Sequence, residues 1–137
     1  MSQLKPDPWR AVANDSYGAA SELAVSRRWR SAISRAYYAA YSLVCGHLRE
    51  IGLAMPGTRE GAAHARLPEL VEGNLTVLRV QDRCRVASRL RALYAMRIAA
   101  DYWPSSAFGE AEVMTALYLM GDVFRWLKEK AHGQSRQ

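Results

Sequence analysis

Apolar side chains recur at spacings of three and four along almost the whole chain, and no stretch alternates apolar with polar for long enough to form a strand. Such a pattern buries its apolar surface only as helices packed on helices, so the expected fold class is all-α. At 137 residues the chain has the size of one domain, able to bury roughly two-thirds of its unfolded surface without disulfides or metals. The reading is therefore a single helical domain over 1–137, with its core at about 8–130 and a polar tail at 131–137. An up-and-down bundle of four long helices plus one short helix is the economical arrangement.

The first helix is expected to start at Asp7-Pro8, an N-cap followed by proline in the first helical position. It should bury Val12, Ala13, Tyr17, Ala20, Leu23 and Ala24 before fading near Ser26. The second is expected over 30–51, with Gly52 as its stop. Its main apolar stripe is Ile33, Tyr37, Ala40, Tyr41, Val44, Leu48 and Ile51, while Arg35, Ala39, Ser42 and Gly46 form a second, mostly small line that permits close approach. Two packable faces place this helix at the centre of a bundle or at a dimer interface. A Pro-Gly loop at 55–60 leads to a weaker helix over 60–72, bent or broken near Pro68. A fourth helix spans 77–101 and is ended by Trp103-Pro104. A fifth, over 110–130, buries Val113, Ala116, Leu117, Met120, Val123, Phe124 and Leu127 and carries acids at its start and lysines at its end, as the helix dipole favours.

Composition narrows the function classes. No run approaches the 18 or so consecutive apolar residues that a membrane helix needs, and the first residues lack a signal peptide's hydrophobic segment, so a cytoplasmic protein with no membrane association is expected. Cys45 and Cys84 each fall inside a helical pattern with no second cysteine or spaced histidine nearby, which reads as reduced core thiols and no metal site. His47, His64 and His132 have no partner at catalytic spacing, and there is no glycine-rich phosphate loop, no Gly-x-Ser-x-Gly elbow and no paired-carboxylate signature, so no cofactor is expected. Sixteen arginines against three lysines give a net charge of +6. That balance suits an anionic partner, nucleic acid or an acidic protein, as well as ordinary solvated faces.

One segment breaks the apolar pattern. On the fourth helix Val86, Leu90, Leu93 and Tyr94 share a face; Arg97 falls in the middle of it and Asp101 at its edge. An exposed Arg–Asp pair four apart contributes only a few tenths of a kcal/mol. Two readings follow: an inter-helix ion pair that fixes register, or a phosphate-gripping arginine lining a cleft with Tyr102 beside it to hydrogen-bond, stack on a base or be modified. Arg79, Arg83, Arg85, Arg89 and Arg91 on the same helix offer an electrostatic track for a nucleic-acid backbone, or are simply solvated. The same basic–aromatic question arises at Arg35 and Tyr38, the latter off the centre of the second helix's apolar stripe.

Residues 29–41 (WRSAISRAYYAAY), followed some fifty residues on by 93–102 (LYAMRIAADY), closely resemble the HEPN domain family, in particular its small prokaryotic branch with an SRAYYA helix and an Arg-x-x-x-Asp-Tyr helix end. The resemblance implies a helical bundle that dimerises so that polar residues of two subunits line a shared cleft. It further implies action on or binding to RNA, as the toxin-like component of a prokaryotic toxin–antitoxin or defence system. By that resemblance Arg97, Asp101 and Tyr102 are the candidate catalytic residues. Arg35, Tyr38, Arg97 and His64 are the candidate RNA- or nucleotide-binding residues, His64 standing where this branch has a histidine opening its third helix. The family's nucleases use an Arg-x4–6-His signature, and after Arg97 the corresponding positions hold Tyr102, Trp103 and Pro104. Arg59 and His64 meet that spacing, but in a loop and a short helix. The alternative that the family offers is a non-catalytic dimer that binds a nucleotide or docks a minimal nucleotidyltransferase antitoxin, with Tyr102 as a modification site.

Overall fold

The computed structural model describes residues 8–53 and 64–135, with side chains as far as Lys128. Five helices are described: α1 (Pro8–Val25), α2 (Trp29–Glu50), α3 (Leu67–Asn74), α4 (Val80–Tyr102) and α5 (Glu110–Ser135), with a 3₁₀ turn at His64–Arg66 ahead of α3. They form the all-α bundle of four long helices and one short one that the periodicity requires. Asp7, Arg59 and the 55–60 loop lie outside the described residues, as does the start of the weak helix.

The bundle is built around α2. From Ala39 to Leu48 every residue is buried, so the second half of this helix is enclosed on all sides, by α1, α3, α4 and α5. Both lines of α2 are used: Ile33, Tyr37, Val44 and Leu48 on one, and Ala39, Ser42 and Gly46 on the other. Arg35 and Ile51, at the ends of those lines, are exposed. Glycine at position 52 is needed by the backbone, because φ there is +82°. Its N–H donates to Arg49 and that of Leu53 to Leu48, which closes the helix end. The α1–α2 turn has the same two bonds, from Arg27 to Ala24 and from Arg28 to Leu23, but an arginine occupies the left-handed position with φ of +61°.

Several expectations change. On α1 the covered line is Ala13, Ser16 and Ala20, while Val12 and Tyr17 are 49% and 37% exposed. The reason is that α1 lies chiefly on α2 and only lightly on α5, so a narrow stripe of small residues suffices. Pro68 does not break a helix; it sits in the first turn of α3, where its missing N–H costs nothing. The α5 backbone stays helical beyond 130, to Ser135. Cys45 is buried, but Cys84 is exposed rather than a core thiol. No helix among the described residues is long and apolar enough to cross a membrane.

Candidate functional site

While the second half of α2 is enclosed, its first half leaves one stripe open. Ser31, Ser34, Arg35 and Tyr38, at i, i+3, i+4 and i+7, are exposed or half-buried. The last turns of α4 run alongside this stripe and bring Arg97 and Asp101 against it. Arg97 Nη2 donates to the Tyr38 hydroxyl at 2.8 Å, and Ser34 Oγ donates to Asp101 Oδ2 at 3.3 Å. Arg97 Nε lies 2.9 Å from Asp101 Oδ2, an ion pair whose N–H is not aligned for a hydrogen bond. The guanidinium also lies over two rings, 5.2 Å from the centroid of Tyr38 and 5.5 Å from that of Tyr102.

The Arg97 side chain is 12% exposed and that of Asp101 is 28% exposed. Burial works against the guanidinium charge, but Tyr38, Asp101 and Tyr102 outweigh it and hold Arg97 protonated more firmly than an arginine in water. With Nε on Asp101 and Nη2 on Tyr38, Nη1 has no hydrogen-bond partner among the described residues and is not sealed off. Its N–H groups are therefore free to donate. Tyr38 accepts from Arg97, so its own hydroxyl proton remains to donate.

His64 closes the far end of the cluster. Its Nδ1 is 2.7 Å from the Tyr37 hydroxyl, and the ring stacks on Tyr94 at 5.8 Å with an 11° interplanar angle. Tyr41 approaches it to 4.5 Å and Tyr38 to 5.9 Å, so four tyrosines surround one imidazole. Tyr37 is buried, and that burial pushes its hydroxyl well above the ordinary tyrosine value, keeping it a neutral phenol.

The structure thus gathers Arg97, Asp101, Tyr102, Tyr38 and His64 into one cluster, with Arg35 on the adjoining stripe. Arg35 is exposed and in no ion pair among the described residues. Tyr102 is 63% exposed. Four of the five arginines in the α4 track are in ion pairs, with three carboxylates between them, and Arg83 is in none among the described residues. Arg79 and Arg85 flank buried Asp82 at 3.5 and 3.4 Å, Arg89 pairs with buried Asp122 at 3.3 Å, and Arg91 pairs with Glu72 at 3.0 Å.

Two contributors escaped sequence reasoning. Ser34 stands four residues before Tyr38, and the helical spacing that groups Arg35 with Tyr38 would have included it. Arg30 carries no such signal. Its Nη1 donates to the carbonyls of Ala100 at 2.8 Å, Trp103 at 3.1 Å and, weakly, Ala99 at 3.4 Å. Its Nη2 donates to Pro104 at 3.2 Å and to Ser106. The same guanidinium lies 5.1 Å from the centroid of Phe108. One side chain at the start of α2 therefore terminates α4 and fixes the turn that follows Tyr102, where a cation also suits the helix dipole. No group of three His, Cys, Asp or Glu side chains placed to hold a metal occurs among the described residues.

Comparison with known families gives a match to the HEPN domain over residues 7–130. Searches of curated proteins and of solved structures each returned no match. The family match takes in α1 to α4 and most of α5, including the α2 stripe and the α4 end that carry the cluster. The chain belongs to the HEPN domain family.

Proposed function

We propose that this protein engages RNA through the cleft around Arg97, as the toxin-like component of a prokaryotic toxin–antitoxin or defence system. The observation that carries the reading is the state of Arg97: a charged guanidinium fixed by two rings and a carboxylate, with one N–H edge still open. Such a group suits a phosphate, since its geometry is set before the ligand arrives. Arg35 on the open stripe adds a second, uncompensated positive charge.

Strand cleavage by a 2′-hydroxyl needs a proton acceptor, a proton donor and positive charge at the phosphate. Arg97 supplies the charge, and the Tyr38 hydroxyl held on Arg97 is a proton donor within the same cluster. Asp101 is the carboxylate next to it, and His64 adds an imidazole one ring away. A homodimer in which two such clefts face each other, as the family resemblance implies, would double the positive charge at the site. Expression of the chain alone is expected to slow growth, and Arg97→Ala to relieve this while the protein still accumulates. Equal toxicity in the variant would refute the proposal.

A second reading is favoured by the exposure of Tyr102, whose ring nonetheless rests on Arg97. Here the chain is a non-catalytic dimer that holds a nucleotide or docks a minimal nucleotidyltransferase, and Tyr102 receives the transferred nucleotide. Co-expression with such a partner should then add a nucleotide-sized mass to the peptide containing Tyr102, and an unmodified peptide would remove this version.

A further inference from the structure

We infer that the turn following α4 is a stacking platform for an unpaired base of single-stranded RNA, with Trp103 carrying the base. This rests on the RNA reading above and specifies the form of the RNA.

Tyr102 and Trp103 are two large aromatic residues in succession, 63% and 60% exposed. On a pliant turn, rings of this size would fold back onto the apolar surface, because burial is what they favour. This turn is not pliant. Arg30 binds the carbonyl of Trp103 itself, together with Ala100 before it and Pro104 and Ser106 after it. The Trp103 N–H donates to Ala99 at 3.1 Å and Ser106 donates back to Trp103 at 3.0 Å, so the backbone at Trp103 is held from both sides. The indole is therefore presented to solvent by a fixed backbone, and little further ordering is needed when a ligand stacks on it.

Its neighbourhood states the chemistry of that ligand. The Tyr102 ring lies 5.5 Å from the Arg97 guanidinium, and Trp103 follows it in the turn that Arg30 holds, so the exposed indole and the cation belong to the same end of α4. A cation that donates hydrogen bonds to phosphate, combined with an exposed ring on the same surface element, is the pairing that proteins use for single strands, where the backbone is held by charge and the base by its π-face. In a duplex the base faces are covered by their neighbours and are not available to the indole. Arg30 acts here as a positioning residue, and Trp103 is the contact.

The test is fluorescence anisotropy of the full chain with a labelled single-stranded RNA of roughly 12 nucleotides, within the usual span of such sites, and with the blunt duplex of the same sequence. Wild type should prefer the single strand. Trp103→Ala should weaken single-strand binding by about 10-fold, leave duplex binding unchanged, and be largely rescued by Trp103→Phe. If Trp103→Ala binds the single strand as wild type does while Arg97→Met weakens it, the platform is overturned and the RNA reading stands. If wild type binds neither RNA, both are overturned. If Trp103→Ala alters only the sedimentation of the free protein, the indole belongs to a contact between two copies and the platform is likewise overturned.

Discussion

Replacing Arg30 with methionine tests whether one guanidinium organises the end of α4. Methionine keeps most of the apolar stem and removes the five donor contacts to Ala99, Ala100, Trp103, Pro104 and Ser106. Two of the stronger ones, to Ala100 and Ser106, are part-buried, and water does not replace them freely. Hydrogen bonds from a charged group contribute about 1.5 kcal/mol or more each when shielded. The exposed contacts to Trp103 and Pro104 add little, and the favourable charge at the helix C-terminus adds about 0.5 kcal/mol. The expected loss is about 3.5 kcal/mol. For a chain of 137 residues each kcal/mol moves Tm by about 3.5 °C, so the variant should melt about 12 °C lower. Thermal unfolding followed by circular dichroism measures this, with Arg30→Lys as the control that keeps charge but loses the planar fork and should recover less than half. A drop below about 3 °C for Arg30→Met would mean that the carbonyls do as well with water, and the clamp argument fails.

Three further outcomes follow from the packing. The buried Tyr37 hydroxyl titrates well above its ordinary value of about 10, so the folded protein keeps that proton where the unfolded chain loses it. The contribution of Tyr37 to stability should be intact below about pH 10 and fall as pH rises beyond it, and Tyr37→Phe should flatten the alkaline fall in unfolding free energy, measured by urea titration, by up to about 1.4 kcal/mol per pH unit; an unchanged slope refutes this. Asp122→Ala should cost about 1–3 kcal/mol in urea unfolding, because it strips a buried carboxylate from between Arg89 and Arg125, and a cost near zero would contradict it. Arg27→Gly should gain about 1 kcal/mol by relieving the left-handed backbone at the α1–α2 turn, less whatever the Arg27 contact with Trp29 contributes; a loss would show that the contact outweighs the strain.

The helices were legible because burial imposes its period on the sequence. That period carried α2 correctly, down to the second line of Ala39, Ser42 and Gly46, since small residues on one face imply a close neighbour. It failed on α1, where Val12 and Tyr17 fit the period but α5 covers that face only in part, through the edge contact of Phe124 with Tyr17. Asp82 and Asp122 were also missed, although Arg79, Arg85 and Arg125 stand three residues from them; no spacing showed that these carboxylates are buried, or that Arg89 reaches Asp122 from another helix. At the site, helix phase placed Arg97 and Asp101 together, the residue order put Tyr102 beside them and paired Arg35 with Tyr38 as a basic–aromatic question, and the family resemblance added His64 and the candidate roles. What no local pattern held was the meeting of elements far apart in the chain: Tyr37 with His64, Tyr38 with Arg97, and Arg30 with the end of α4.

The proposed function requires Arg97 to grip a phosphate rather than to serve as an internal ion pair. It is tested most directly by measuring RNA affinity against salt for wild type and Arg97→Met, with both proteins confirmed folded by their melting curves. If Arg97 contacts one phosphate, the variant should bind more weakly and its plot of log affinity against log salt should be shallower by about 0.7 on a single strand. An identical slope and affinity in the variant, with equal or greater thermal stability, would instead mark Arg97 and Asp101 as a structural pair and contradict the account.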